Sequence, residues 1–180
     1  MKVVAFGASY SKESINKEFA AYAASKIPGA EVEVLDLTQY SLPLFTVDLE
    51  KEIGHPEIIK DFLSKIDSVD LIIISLAEHN GSYSAGFKNL FDWSSRVNIK
   101  FFESKKVLLL STATGPRGGI SALEAAKTRF PIHGAEIVGT FSLPSFNENY
   151  SKETGIIVDE LREEFQKTLA GVGALEVSLN

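Results

Sequence analysis

The stretch Val3-Val4-Ala5-Phe6-Gly7-Ala8-Ser9-Tyr10-Ser11-Lys12-Glu13-Ser14-Ile15-Asn16 decides the fold. Its apolar strand formers, Val3 to Phe6, stop at Gly7. A small, hydroxyl-rich loop runs from Ala8 to Glu13, and a helical pattern begins at Ser14. A buried parallel strand that turns tightly into a helix aims free backbone N–H groups at the space above the sheet. With the positive end of the helix dipole, those donors form an anion site. Ser9, Ser11, Ser14 and Asn16 add neutral donors, and Lys12 is the loop's only cation. Two readings stand side by side: a cradle for a phosphate, or a plain helix start capped by Ser14.

Outward from this stretch, strand and helix patterns alternate. Ile15, Phe19, Tyr22, Ala23 and Ile27 recur at helical spacing up to Pro28-Gly29. Glu31 to Leu37 alternates at first, as a strand near a sheet edge does. Ser41 to Gly54 reads as an irregular connection whose Leu42-Pro43-Leu44-Phe45 must pack somewhere. Pro56 suits the first turn of a second helix carrying Ile58, Ile59, Phe62, Leu63 and Ile66. Asp70 to Leu76 is the continuous apolar run of a central parallel strand. The loop Ala77 to Ser84 follows, and then a third helix with Phe87, Leu90 and Phe91 on one side. Lys106 to Leu110 predicts a fourth strand, Ser111 to Gly119 a loop, Ile120 to Phe130 a helix, Ile137 to Leu143 a fifth strand, and Thr154 to Leu169 a last helix. Without a repeat or linker, residues 1–180 read as a single domain. The expected architecture is an α/β three-layer sandwich around a five-stranded parallel sheet of order 2-1-3-4-5, the flavodoxin-like arrangement. Ligands bind such sheets at the C-terminal ends of the strands, where the loops after strands one, three and four lie.

Composition narrows the function classes. Hydrophobic residues at 44% and charged residues at 23% are ordinary for a globular chain, and the net charge of −6 argues against nucleic-acid partners and acidic membranes. There is no cysteine, which removes disulfides, thiolate metal sites and a cysteine nucleophile together. No apolar run approaches the ~20 residues of a membrane span. The chain enters directly on a strand pattern without a leader, so a soluble, cytoplasmic protein is expected. Three histidines, His55, His79 and His133, stand at spacings that do not point to a metal. The first loop is neither a GxGxxG fingerprint nor a P-loop, no GxSxG elbow marks a hydrolase, and Phe6-Gly7 lacks the acids of a phosphoacceptor domain.

The remaining motifs point one way. Phe6-Gly7-Ala8-Ser9 through Ser14-Ile15-Asn16, then Glu78-His79-Asn80-Gly81-Ser82, then Phe87-Lys88-Asn89-Leu90-Phe91-Asp92-Trp93 with Ser95-Arg96, resemble the NADPH-dependent FMN reductase family. Thr114-Gly115-Pro116-Arg117-Gly118-Gly119 is similar to that family's fourth-strand loop. The resemblance implies a flavodoxin-like fold, non-covalent FMN, and assembly as a homodimer or homotetramer. Carried over by position, Ser9, Ser11, Ser14, Ile15 and Asn16 would hold the FMN phosphate. Glu78, His79, Asn80, Gly81 and Ser82 would border the isoalloxazine, mostly through backbone, and Thr112, Ala113, Thr114 and Gly115 would close its pyrimidine side. Lys88, Asn89, Asp92 and Trp93 would fix the third helix and a subunit interface, and Leu42 to Phe45 with Trp93 would form a self-association surface. Ser11 and Lys12 stand where many relatives carry an arginine, and His79 replaces an aromatic residue.

The resemblance implies an FMN-dependent oxidoreductase that takes a hydride from NADPH or NADH to flavin N5 and passes electrons to free flavin, a quinone or an azo compound. Because the flavin carries that chemistry, no acid–base constellation is expected. Lys12 and Arg117 are candidates for steering nucleotide phosphates, set against the plainer reading of exposed surface cations. The alternatives are an FMN-binding electron carrier without nicotinamide turnover, and a flavin-free interaction domain on the same fold.

Overall fold

Val3 to Ala8 and Leu71 to Leu76 are buried along their whole length, as strands covered on both faces must be. They form β1 (Lys2–Ala8) and β3 (Leu71–Leu76) at the centre of a parallel sheet that also contains β2 (Glu31–Leu35), β4 (Lys106–Thr112) and β5 (Glu136–Leu143). The strand order is β2-β1-β3-β4-β5, as expected. The computed structural model describes residues 1–177. At the sheet edge, β2 leaves Glu31 to Val34 exposed, which accounts for its alternation of glutamate and valine.

Side-chain alternation divides the core into two layers. Val3 and Ala5 point into a cluster with Phe19, Ala20 and Ala23 of α1 (Ile15–Ser25) and Phe165 of α7 (Asp159–Val177). Val4 and Phe6 point the other way. They meet Ile59 and Phe62 of α3 (Glu57–Asp67), Phe87 and Leu90 of α4 (Ala85–Val97), and Leu123 of α5 (Ile120–Arg129). The helices therefore cover both faces of the sheet.

Several boundaries differ from the sequence reading. Within the connection after β2, Asp36 caps a short 3-10 turn at Leu37–Gln39, and Val47–Ile53 forms a helix, α2. No side chain of α2 is buried, so it carried no apolar period to detect. Thr46 caps it by accepting from the Leu49 N–H (3.0 Å), and Arg96 Nε holds both oxygens of its Glu50 at 2.9 and 3.0 Å. Pro56 is the residue that precedes α3 rather than part of its first turn. The last helix starts at Asp159, because Gly155–Ile156 instead pairs antiparallel with Tyr150–Ser151 beside the one-turn helix α6 (Phe146–Asn149).

The segment Leu42 to Phe45 corrects a further expectation. Trp93 is fully buried within the chain. Its Nε1–H donates to Pro43 O at 2.9 Å, and its ring meets Phe45 edge-on at 5.1 Å. Asn89 donates to Pro43 O (3.0 Å) and accepts from the Phe45 N–H (2.8 Å). The segment and the tryptophan cover each other, so Trp93 is not part of a surface awaiting a partner. Leu42 and Phe45 are half-buried, Pro43 is exposed, and Leu44 turns furthest outward, 76% exposed.

His133 sits 2% exposed at the end of the 3-10 turn after α5, edge-on to Phe91 at 4.7 Å and beside Phe101 at 5.4 Å. Its Nδ1–H donates to Ile99 O (2.7 Å), while Nε2 is buried without a partner. Burial pushes the imidazole below its ordinary value of 6.5. The unfolded chain therefore takes up a proton that the folded chain refuses. This contribution to stability is complete above pH 6.5 and declines as pH falls, by up to about 1.4 kcal/mol per pH unit. Urea unfolding of the protein and its His133→Gln variant from pH 8 to pH 5 reads this directly. The difference in unfolding free energy should move in the variant's favour toward acid, and a difference independent of pH would refute the assignment.

Candidate functional site

At the C-terminal edge of the sheet, the loops after β1, β3 and β4 enclose a cleft of about 210 Å3. Ser9, Ser11, Glu13, Ser14, Ile15 and Asn16 form one wall, Ala77, Glu78 and His79 the second, and Thr112, Ala113 and Thr114 the third. The cleft exists because α1 starts hard against β1. A Cβ on Gly7 would lie 2.2 Å from the Lys17 backbone nitrogen, so only glycine lets the helix approach.

The first wall is a set of donors. Ser14 caps α1: its Oγ accepts from the Lys17 N–H at 3.1 Å, and its carbonyl accepts from the Glu18 N–H. Ser9 Oγ accepts from the Ser11 N–H at 3.2 Å. Each hydroxyl has thus accepted a bond and keeps its proton to donate. The amides of Ile15 and Asn16, first in the helix, have no intrahelical acceptor, and both residues line the cleft. Tyr10 turns away. Its phenol is pushed by burial up to about 12 and donates to Tyr40 O at 3.0 Å, so it anchors the loop as a neutral group.

Asn16 departs from the expectation that its side chain adds a donor to the loop. The side chain is 3% exposed and turned inward. Its Nδ2 donates to Thr112 O (3.1 Å), and its Oδ1 accepts from the Thr112 N–H (3.2 Å) and from Ser75 Oγ (2.7 Å). Strand β3 pairs with β4 only as far as Leu76 opposite Ser111, so the Asn16 amide serves the next residue of β4 in place of a strand. Only the backbone N–H of Asn16 is left for a ligand. The Thr112 hydroxyl is likewise committed, donating to Leu143 O at 2.7 Å.

In the second wall, Glu78–His79 pairs with Ser82–Tyr83 in a two-residue hairpin. Asn80 and Gly81 at its tip have φ of 52° and 75°, the left-handed pair that an Asn-Gly turn supplies. The Glu78 carboxylate is not free. Its Oε2 accepts from the N–H groups of Ser121 (2.8 Å) and Ala122 (3.2 Å), capping α5, whose own cap residue Gly119 has no side chain to do so. His79 is exposed at the wall, while Asn80, Gly81 and Ser82 extend past it into solvent and Gly115 lies outside the lining. The cleft also includes Glu13 and Ala77, which the sequence reading did not single out. Arg117 touches no wall and donates to Ser121 Oγ at 3.0 Å. Among the described residues no group of three His, Cys, Asp or Glu side chains gathers as for a metal.

A parallel sheet of this order with a cleft at its C-terminal edge defines a flavodoxin-like α/β protein. Residues 1–148 match the NADPH-dependent FMN reductase family, and the chain belongs to it. It is 36% identical over 96 residues to an NADPH:quinone oxidoreductase of Arabidopsis thaliana, a match covering 53% of this chain and 47% of that one. It is 32% identical over 120 residues to a quinone reductase of Escherichia coli K12, covering 66% and 63% of the two chains. The chain thus spans about half to two thirds of these relatives' length. Among solved structures, the flavoenzyme NAD(P)H:(acceptor) oxidoreductase of Paracoccus denitrificans superimposes with a TM-score of 0.74 at 22% identity, covering 95% of this chain and 94% of that one. A flavodoxin from Pseudomonas aeruginosa reaches 0.57 at 14% identity, covering 95% and 98%. These two establish the fold.

Replacing Asn16 by leucine, of similar size, leaves a buried N–H, a carbonyl and a hydroxyl without partners. The expected loss is about 2–4 kcal/mol of folding stability in urea unfolding. Stability unchanged within 0.5 kcal/mol, roughly the spread of neutral surface changes, would show that the amide is not needed.

Proposed function

We propose that this protein is an FMN-dependent NAD(P)H oxidoreductase that reduces a small acceptor: a quinone, free flavin or an azo compound. The observation that carries the reading is the first wall, where Ser9, Ser14, Ile15 and Asn16 line one cleft at the positive end of α1, with the Ile15 and Asn16 amides lacking an intrahelical acceptor. That donor set suits a phosphate monoester. It fits FMN because the phosphate spot continues between two backbone walls, Ala77 to His79 and Thr112 to Thr114, spaced by the buried Asn16 amide. When bound, FMN would supply the hydride acceptance and electron release that no side chain here provides.

The protein's own residues bind, orient and partly screen the cofactor. Ser9, Ser14 and the α1 amides hold the phosphate. The backbone of Glu78 and His79 borders the ring, with the Glu78 carboxylate engaged on α5 so that it does not repel the flavin. Ser11 belongs to the same first wall, and Asn80, Gly81, Ser82 and Gly115 to the rim of the site. The cleft is smaller than the roughly 300–1,000 Å3 of typical ligand pockets, which leaves the ring's outer part open to nicotinamide and acceptor. The exposed Leu44, Val47 and Ile53 along one connection favour a homodimer or homotetramer. Among the described residues no helix is long and apolar enough to cross a membrane, and we place the protein in the cytoplasm.

Titrating apoprotein with FMN and following the quenching of its fluorescence measures the cradle. Ser9→Ala and Ser14→Ala should each weaken binding about tenfold, the value of a hydrogen bond to a charged group. Unchanged affinity in the double variant would remove the phosphate assignment. Steady-state oxidation of NADPH and NADH with a quinone acceptor tests the activity. FMN binding without turnover on any acceptor would indicate an electron carrier instead.

A further inference from the structure

The hairpin of the second wall carries chemistry of its own at its tip. Asn80-Gly81 is the single Asn-Gly pair in the chain. Both residues are exposed, and nothing lies within 4 Å of the place a Cβ on Gly81 would take. The stem, by contrast, is tied down. Glu78 caps α5, and the Tyr83 ring meets Phe87 edge-on at 5.7 Å. Between those anchors only two residue pairs hold the turn, and so short a ladder opens at little cost.

The other asparagines among the described residues are spent or hindered. Asn16 is bonded to Thr112 and Ser75, Asn89 to Pro43 and Phe45, and Asn149 Nδ2 donates to Pro144 O at 2.9 Å. Asn98 Oδ1 accepts from the Lys100 N–H at 2.9 Å, and the bulky Ile99 follows it. Asn147 sits inside α6 and precedes Glu148. The Asn80 carboxamide has no hydrogen-bond partner among the described residues, and the residue after it has no side chain to shield the backbone nitrogen. A free carboxamide, an unhindered nitrogen and a turn able to open are what intramolecular attack on an asparagine side chain requires.

We propose that Asn80-Gly81 is a self-modifying turn, whose deamidation sets a carboxylate on the rim of the cleft and weakens its hold on FMN. In the opened turn the Gly81 nitrogen attacks Asn80 Cγ. An N–Cγ bond forms, the Cγ–Nδ2 bond breaks, and ammonia leaves with the proton of the attacking nitrogen. Water then opens the cyclic imide at either carbonyl, with no change of oxidation state. Opening at Cγ leaves aspartate. Opening at the main-chain carbonyl of residue 80 leaves isoaspartate, whose backbone runs through the former side chain and is longer by one methylene. Both products add a negative charge beside a phosphate-carrying ligand, in a chain already at −6. Isoaspartate also lengthens a two-residue turn that sets the register of its strands, so Glu78–His79 loses its pairing with Ser82–Tyr83. The effect on FMN rests on the reductase reading, whereas the modification itself does not.

Peptide mass spectrometry of the protein aged in warm, mildly alkaline buffer reads the step as the exchange of an amide –NH2 for –OH. Labelling by an isoaspartyl methyltransferase separates the two products. Asn80 should convert at least about tenfold faster than Asn98 in the same chains, and Gly81→Ala should slow it by about the same factor. In a fluorescence titration, Asn80→Asp should bind FMN about threefold more weakly, with the loss shrinking at high salt as a charge effect does. Conversion at Asn80 no faster than at Asn98, or unaltered FMN affinity in Asn80→Asp, overturns the proposal. Conversion in a protein that takes up no FMN would leave the modification standing and sink the flavin reading. FMN uptake by a protein whose Asn80 stays intact would do the reverse.

Discussion

Strand β3 leaves the sheet one residue before its neighbour does, and the Asn16 carboxamide fills the gap. Its three hydrogen bonds, to Thr112 N–H, Thr112 O and Ser75 Oγ, join α1 to β3 and β4 at the edge where the cleft opens. Each buried polar group left unpaired costs about 1–3 kcal/mol, so this one side chain removes a penalty that would otherwise fall on the strand ends. It also sets where α1 begins. Gly7 supplies the complementary permission, since a single Cβ there would hold the helix off the strand. Position and direction of the α1 amides follow from the two together.

The walls of the cleft are fixed in the same way, by polar ties between loops rather than by exposed ion pairs. Ser84 Oγ donates to Ala8 O at 2.9 Å, binding the loop after β3 to the end of β1. Glu78 is spent on the start of α5, and the Gly115 carbonyl accepts from the Ser145 N–H at 2.9 Å, drawing the third wall onto the chain after β5. Every tie satisfies a group near the strand ends, so little reorganisation remains for a ligand to impose. Surface pairs such as Lys88–Asp92, with side chains 54% and 36% exposed, add little to this.

Much of the architecture was legible because the burial pattern is written in residue type. The apolar runs of β1, β3 and β4 require two covered faces, and the Glu/Val alternation of β2 requires one edge. What escaped was structure without an apolar period. Helix α2 has no fully buried side chain, only the half-buried Leu49 against the core, and is held by Thr46 at its cap and by Arg96 near it in space. The Asn80-Gly81 turn closes a hairpin inside the loop Ala77 to Ser84, too short to carry a strand period of its own. Leu42 to Phe45 and Trp93 suggest a self-association surface in the linear chain, yet Trp93 closes on Pro43 and Phe45, fifty and forty-eight residues earlier, within the same chain.

By itself the sequence determined the fold class, the strand order and the three loops that make the cleft. Hydrophobic periodicity and the residue types at strand-to-helix turns depend on local geometry, which the chain carries with it. It also determined which residue types reach the first loop. Only the tertiary structure decided what those residues do. Asn16 and Glu78 both look like ligand groups in the linear chain, but each finds backbone partners from a distant segment, at Thr112 and at Ser121 and Ala122, and their side chains become struts. The free amides of Ile15 and Asn16 are likewise visible only in three dimensions. Whether a polar atom is spent or available depends on which neighbours arrive from elsewhere in the chain.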